Sequence, residues 1–157
     1  MPVTLANTQL YNIRDPAHFY AEMLRDVQLL CDASAFPSCV TLIACFIDAL
    51  AVGTGAATKA KFKRFMEHHF RALCDELRTV ARSKSGAITF YEQYRNGLAH
   101  LRGPKTHYSL ARDSQTGGKY VEVYDVVHIG RLIGINVDRL HADFVASVES
   151  CRKAGRP

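Results

Sequence analysis

The sequence predicts a mainly α fold: a helical bundle of four to five helices, one domain over residues 1–157, with a β-hairpin inserted before the C-terminal helix. Three observations predict it. Apolar residues recur at helical spacing through most of the first hundred positions. Glycine and proline break those runs at intervals that suit helices of ordinary length. After Gly103-Pro104 the spacing changes to alternation around a glycine-bearing turn, and a helical period returns only at the end.

Residues 1–14 hold no period and read as a flexible arm. Asp15-Pro16 then looks like an N-cap followed by proline in the first turn, where the missing N–H costs nothing. Phe19, Met23, Val27 and Leu30 carry the first helix to about Ala33. The second begins near Pro37 and is apolar almost all round (Val40, Leu42, Ile43, Cys45, Phe46, Ile47, Leu50), which suits the middle of a bundle. Gly53-Thr54-Gly55 ends it; the run GTGAATK lacks the Gly-Lys-Ser/Thr ending of a phosphate-binding loop and follows no strand. Phe62, Phe65, Met66, Phe70, Leu73, Leu77 and Val80 make one long third helix. Lys61, Lys63, Arg64, Arg71 and Arg78 read as its solvated face. The polar break at 83–86 opens a fourth helix with Phe90, Tyr91, Tyr94, Leu98 and Leu101 on one stripe, stopped by Gly103-Pro104. Tyr108–Ala111 and Tyr120–Tyr124 flank the turn 113–118 as a hairpin. Val126–Ile135 is a short strand interrupted by Gly130 and Gly134, or no strand at all. Asn136 caps a last helix that turns Leu140, Phe144, Val148 and Cys151 inward, and the tail 154–157 frays.

Composition narrows the function classes. A chain of 157 residues, 48% hydrophobic and 22% charged, can bury a core without disulfides or metal. Five cysteines, with no CxxC pair, imply free and largely buried thiols in a reducing cytoplasm; Cys39 and Cys45 lie among Val40, Ile43, Ala44 and Phe46. The longest apolar stretch, Val40–Val52, is interrupted by Asp48 and is too short to span a bilayer, so a soluble protein is expected. A net charge of +5 gives mild attraction to anions, nucleic acid included. His68 and His69 are adjacent on a helix and should point to different sides, and His107, His128 and His141 are scattered, so no metal site or cofactor is expected.

The candidate site is the run Tyr94-Arg95-Asn96-Gly97-Leu98-Ala99-His100. An arginine five positions before a histidine also occurs at Arg64…His69 and Arg102…His107; what separates Arg95…His100 is Asn96 directly after the arginine, near a helix end. On a regular helix Asn96 and His100 share a face, with Arg95 about 140° from His100 and the Tyr94 stripe opposite. Arg95 and His100 thus lie off the apolar stripe, and the fold should tolerate their replacement. A histidine titrates near neutrality and suits acid–base work, and a guanidinium fork suits a phosphate. Asp48, the one acid in the apolar second helix, is expected to be desolvated and to contact a basic or donor group.

The Arg-Asn-x-x-x-His run, the long amphipathic helix leading into it and the lone Asp48 resemble the HEPN superfamily, small helical bundles that include many prokaryotic ribonuclease toxins. The resemblance covers about Asp15 to His100 and the final helix. It implies a homodimer in which two motif helices pool their Arg and His residues, with RNA as substrate and an antitoxin or nucleotidyltransferase as partner. It implies metal-independent RNA cleavage, with His100 as general acid or base, Arg95 on the phosphate, Asn96 orienting the imidazole or the substrate, and Asp48 in support. The alternatives are a non-catalytic HEPN-like module that binds RNA or protein, and a bundle with a small-molecule pocket.

Overall fold

The structure is a computed structural model that describes residues 16–52, 58–99 and 107–155. Two 17-residue helices open it, α1 (Pro16–Asp32) and α2 (Phe36–Val52). Between them the chain turns sharply: Ser34 adopts a φ of 55°, and Ala35 N–H donates back to the Leu30 carbonyl at 2.9 Å. α2 buries Cys39, Val40, Ile43, Ala44, Ile47 and Leu50, as a central helix should, yet leaves Cys45 and Ala49 open along one edge. The expected cap Asp15, the arm before it and the glycine break at 53–55 lie outside the described residues.

The long third helix of the sequence reading is two helices, α3 (Lys59–His69) and α4 (Arg71–Ala81). Phe70 breaks them apart with φ −122° and ψ 40°, which an α-helix does not allow. The apolar spacing runs on regardless, because Phe70 is itself fully buried and both helices pack their apolar faces into one core. Thr58 caps α3, its hydroxyl accepting from Lys61 N–H, and Arg82 closes α4 in the left-handed region.

Next comes the segment that carries the candidate motif. It opens as α5 (Gly86–Phe90), widens into a π-helical turn over Tyr91–Arg95, and ends as α6 (Asn96–Ala99). Ser85 is the N-cap. Gly86 is required by contact: a Cβ there would lie 1.9 Å from the Cys74 carbonyl oxygen, so α4 and α5 meet backbone to backbone.

The expected hairpin does not form between the two segments assigned to it. β1 (Tyr108–Ala111), a short helix α7 (Asp113–Thr116), β2 (Val121–Val126) and β3 (Gly130–Asn136) give a three-stranded sheet of order β1-β3-β2. β3, the segment left ambiguous in sequence, is the central strand. It runs parallel to β1 (Tyr108 beside Ile133) and antiparallel to β2 (Val123 beside Ile133), and the hairpin is β2–β3. Gly134 does not interrupt the strand: the Tyr124 ring crosses it, and a Cβ there would come within 2.8 Å of that ring. Gly130 starts the strand from a φ of 86°.

The polypeptide passes from β3 into α8 (Val137–Lys153) with Asn136 as the hinge. Asn136 is fully buried. Its Oδ1 accepts from Arg139 N–H at 3.1 Å, capping α8 as expected, while its Nδ2 lies 2.8–3.0 Å from Thr116 Oγ1, Asp113 Oδ1 and Lys119 O. That set of bonds holds α7 as a helix, which is why residues 113–118 do not close a hairpin. α8 packs on α1, α2 and α3, with Phe144 stacked on Phe46 at 6.1 Å. Ala154 and Gly155 donate back to Ser150 and Arg152 in a turn that closes α8; Arg156 and Pro157 lie outside the described residues. Glu76 ties sheet to bundle: its Oε2 accepts from the backbone N–H groups of Tyr120 and Val121 at 3.0 and 2.9 Å. Among the described residues no helix is long and apolar enough to cross a membrane.

Candidate functional site

Position of the motif begins with Tyr94. Its ring is fully buried between Phe90 (5.4 Å, stacked) and Tyr108 (5.8 Å, edge-on), and its hydroxyl reaches the carbonyls of Ser109 and Ile133 at 3.1 and 3.2 Å. One side chain therefore fixes the motif helix to both parallel strands. Burial, reinforced by Tyr108 and only partly opposed by the Ser109 bond, pushes the phenol well above its ordinary range, so Tyr94 is a fixed donor and not a titrating group.

The π-helical turn changes the phase on which the sequence geometry relied. Asn96 N–H donates to the Tyr91 carbonyl, five residues back, so the turn holds one residue more than an α-turn would. The regular 100° step therefore does not hold across Tyr91–Arg95, and Arg95 is not simply turned to solvent. Its guanidinium lies over the Tyr91 ring at 5.2 Å and against the carboxylate of α2.

Asp48 and Arg95, 47 positions apart, form the centre of the site. Arg95 Nε and Nη2 both approach Asp48 Oδ2 at 2.9 Å, and Nη1 donates to Asn96 Oδ1 at 3.0 Å. The side chains keep 16% (Asp48) and 29% (Arg95) of their exposure, so the pair is shielded without being sealed. Of the guanidinium's five N–H groups these contacts engage three; among the described residues the other two meet no further acceptor. Beside the pair, Lys59 binds Glu92 at 2.5 Å and lies 5.8 Å from the same Tyr91 ring, whose edge meets Phe62.

Of the four residues singled out in sequence, the structure brings together Asp48, Arg95 and Asn96. His100 lies outside the described residues, as do Leu101 and Gly103-Pro104. Asn96 Oδ1 is committed to Arg95, which leaves its amide nitrogen for an imidazole or a substrate. Asp48 holds the arginine rather than a backbone group. Sequence reasoning missed Tyr91, which it placed on the apolar stripe and which forms the floor under both cations. The available signal was its spacing of four from Arg95, the separation at which helical side chains meet. It also missed that Arg95 neutralises a largely buried carboxylate, so that its replacement carries a cost in stability.

No group of three His, Cys, Asp or Glu side chains among the described residues could hold a metal ion. No known protein family matches the chain, and neither a curated protein nor a solved structure matches it.

Proposed function

We propose that the protein is a HEPN-like homodimer that cleaves RNA without a metal ion, at a site built on Arg95, Asn96 and His100 and supported by Asp48. The observation that carries the reading is the oriented guanidinium: Asp48 and Asn96 grip Arg95 from two sides, Tyr91 supports its face, and two of its N–H groups meet no acceptor among the described residues. A preset donor fork of this kind suits the charge that builds on a phosphate in flight. In the reaction the 2′-hydroxyl attacks the adjacent phosphorus, a general base takes its proton, and a general acid protonates the departing 5′-oxygen. His100 of one or both subunits serves these roles. The dimer is supported by the open edge of α2, where Cys45 and Ala49 present small apolar surface next to Asp48. Light scattering should therefore give about twice the chain mass. In this reading the protein works in the cytoplasm beside an antitoxin or nucleotidyltransferase.

One observation favours the alternative, a non-catalytic HEPN-like module that binds RNA or protein: the charge of Arg95 already has a partner in Asp48, as a structural ion pair would. Incubation of purified protein with RNA in chelator separates the two. Cleavage should persist and leave a 2′,3′-cyclic phosphate or its hydrolysed monophosphate, and His100→Ala should lower the rate by about a hundredfold or more. Activity that requires a divalent ion, or that survives His100→Ala undiminished, defeats the proposal. A folded dimer that binds RNA and never cuts it leaves the module.

A further inference from the structure

A second cationic feature lies beside the first. A cavity of about 410 Å³ opens between α2 and α3, lined among the described residues by Ala51, Lys61, Arg64, Phe65, His68 and His69. Adjacent histidines on a helix stand about 100° apart; these two both border one pocket, their rings 4.5 Å apart and edge to face, because with Lys61, Arg64 and Phe65 they fall at successive-turn positions of one broad face of α3. His69 in turn lies 4.4 Å from the Phe65 ring, which makes an aromatic wall.

The charge arrangement is unlike that of the rest of the two helices. Lys59 pairs with Glu92, Lys63 with Glu67, and Arg71 and Arg78 with Asp75, so most basic side chains of α3 and α4 meet a carboxylate. No acid is among the described lining residues of the pocket. Lys61 Nζ donates instead to the Val52 carbonyl at 3.3 Å, which offsets the negative end of α2 and holds the ammonium at the pocket's edge. Two fixed cations and two imidazoles thus face a cavity of ligand size. Ala51 lies three residues after Asp48 on the same side of α2, about 4.5 Å further along the helix axis, so one side of α2 contributes to both the pocket and the Arg95 site.

We infer that this pocket holds a phosphate of the RNA strand next to the one engaged by Arg95, with the imidazole and Phe65 wall against the attached nucleoside; the inference rests on the RNA reading above. Cations spaced along one helix to track a strand, with aromatic surface between them, are the means by which single-stranded nucleic acid is held without sequence preference.

Binding of a fluorescent 2′-O-methyl oligoribonucleotide to the full chain tests this apart from cleavage, because the methylated strand lacks the nucleophile. Arg64→Ala and His68→Ala remove exposed side chains, so folding, checked by circular dichroism, should survive. Each should weaken binding severalfold, and Arg64→Ala should reduce the slope of log affinity against log salt by about 0.7, the share of one phosphate contact on a single strand. Arg152→Ala, on the far end of α8 and paired with Glu149, should leave that slope unchanged. If the parent does not bind the strand, both this inference and the RNA reading fall. If the parent binds and the two pocket variants keep its affinity and slope, this inference alone falls.

Discussion

Breaking the Asp48–Arg95 pair is the perturbation whose size can be worked from the structure. Two unit charges about 4 Å apart attract by about 4 kcal/mol at an effective dielectric near 20, before desolvation is subtracted. Exposed pairs retain about 0.2–1 kcal/mol of that, whereas removing one partner of a fully buried pair costs about 3–5 kcal/mol. With exposures of 16% and 29% the pair stands between those limits. The two single variants should differ. Arg95→Ala leaves the more buried carboxylate uncompensated and should cost about 2 kcal/mol; Asp48→Ala leaves an arginine that still has Asn96 and the Tyr91 face, and should cost about 1 kcal/mol. The double variant should cost about 2 kcal/mol, so that urea denaturation of all four proteins gives a coupling of about 1 kcal/mol. In a chain of this length Arg95→Ala should lower Tm by about 4–8 °C. Additive losses, with a coupling below about 0.3 kcal/mol, would refute the claim that the carboxylate positions the guanidinium.

Asn136→Ala removes a helix cap and takes the donor from the buried Thr116 hydroxyl and from the more exposed Asp113 carboxylate and Lys119 carbonyl, so urea denaturation should show a loss of about 2–3 kcal/mol; a loss under about 1 kcal/mol would mean that the cap alone matters there. Thiol titration of native protein should find Cys39, Cys74 and Cys151 protected until denaturant is added: burial pushes Cys74 up to about 12 and Cys39 higher, and the Cys31 and Cys39 thiols share a hydrogen bond. Asp138 should shape acid stability. Burial acts to raise its carboxyl, but the Arg112 hydrogen bond and the Asp113 N–H outweigh it and hold the group below the usual carboxylate value. Its contribution is therefore complete above about pH 5 and is lost as pH falls through the lowered folded value, so Asp138→Asn should flatten the acid limb of stability between about pH 5 and pH 2; an unchanged limb would place that sensitivity elsewhere.

What could be read from the sequence was local. The helices α1, α2 and α8 and the Asn136 cap follow from periodicity and capping chemistry within a few residues. The break at Phe70 was hidden because a buried phenylalanine satisfies the helical spacing whether or not the helix continues. The sheet was misassigned because parallel pairing of β1 with β3 joins residues about 25 positions apart and leaves no local sign, while the glycines of β3 mark a turn and a ring contact instead of a gap. Cys45 shows the limit of an all-round apolar pattern: one edge of such a helix can still be open. At the site, residue types were legible and geometry was not. That Asp48 meets a basic or donor group is legible in its apolar surroundings; the π-helical turn at Tyr91–Arg95, which shifts the helical phase just before the arginine, leaves no such sign.

The order of the strands has a consequence for synthesis of the chain. β1 leaves the ribosome well before β3, its only neighbour in the sheet, and the Tyr94 hydroxyl waits as long for the Ile133 carbonyl. Phe46, on the second helix, meets the Phe19 ring edge-on from the start but gains its parallel partner, Phe144, only with the last helix. The helices can therefore form early, but Tyr94, which fixes the motif helix beside Arg95, finds its second strand only after β3 has been made. Loss of α8 should open the bundle, because α8 is the surface on which α1, α2 and α3 all pack.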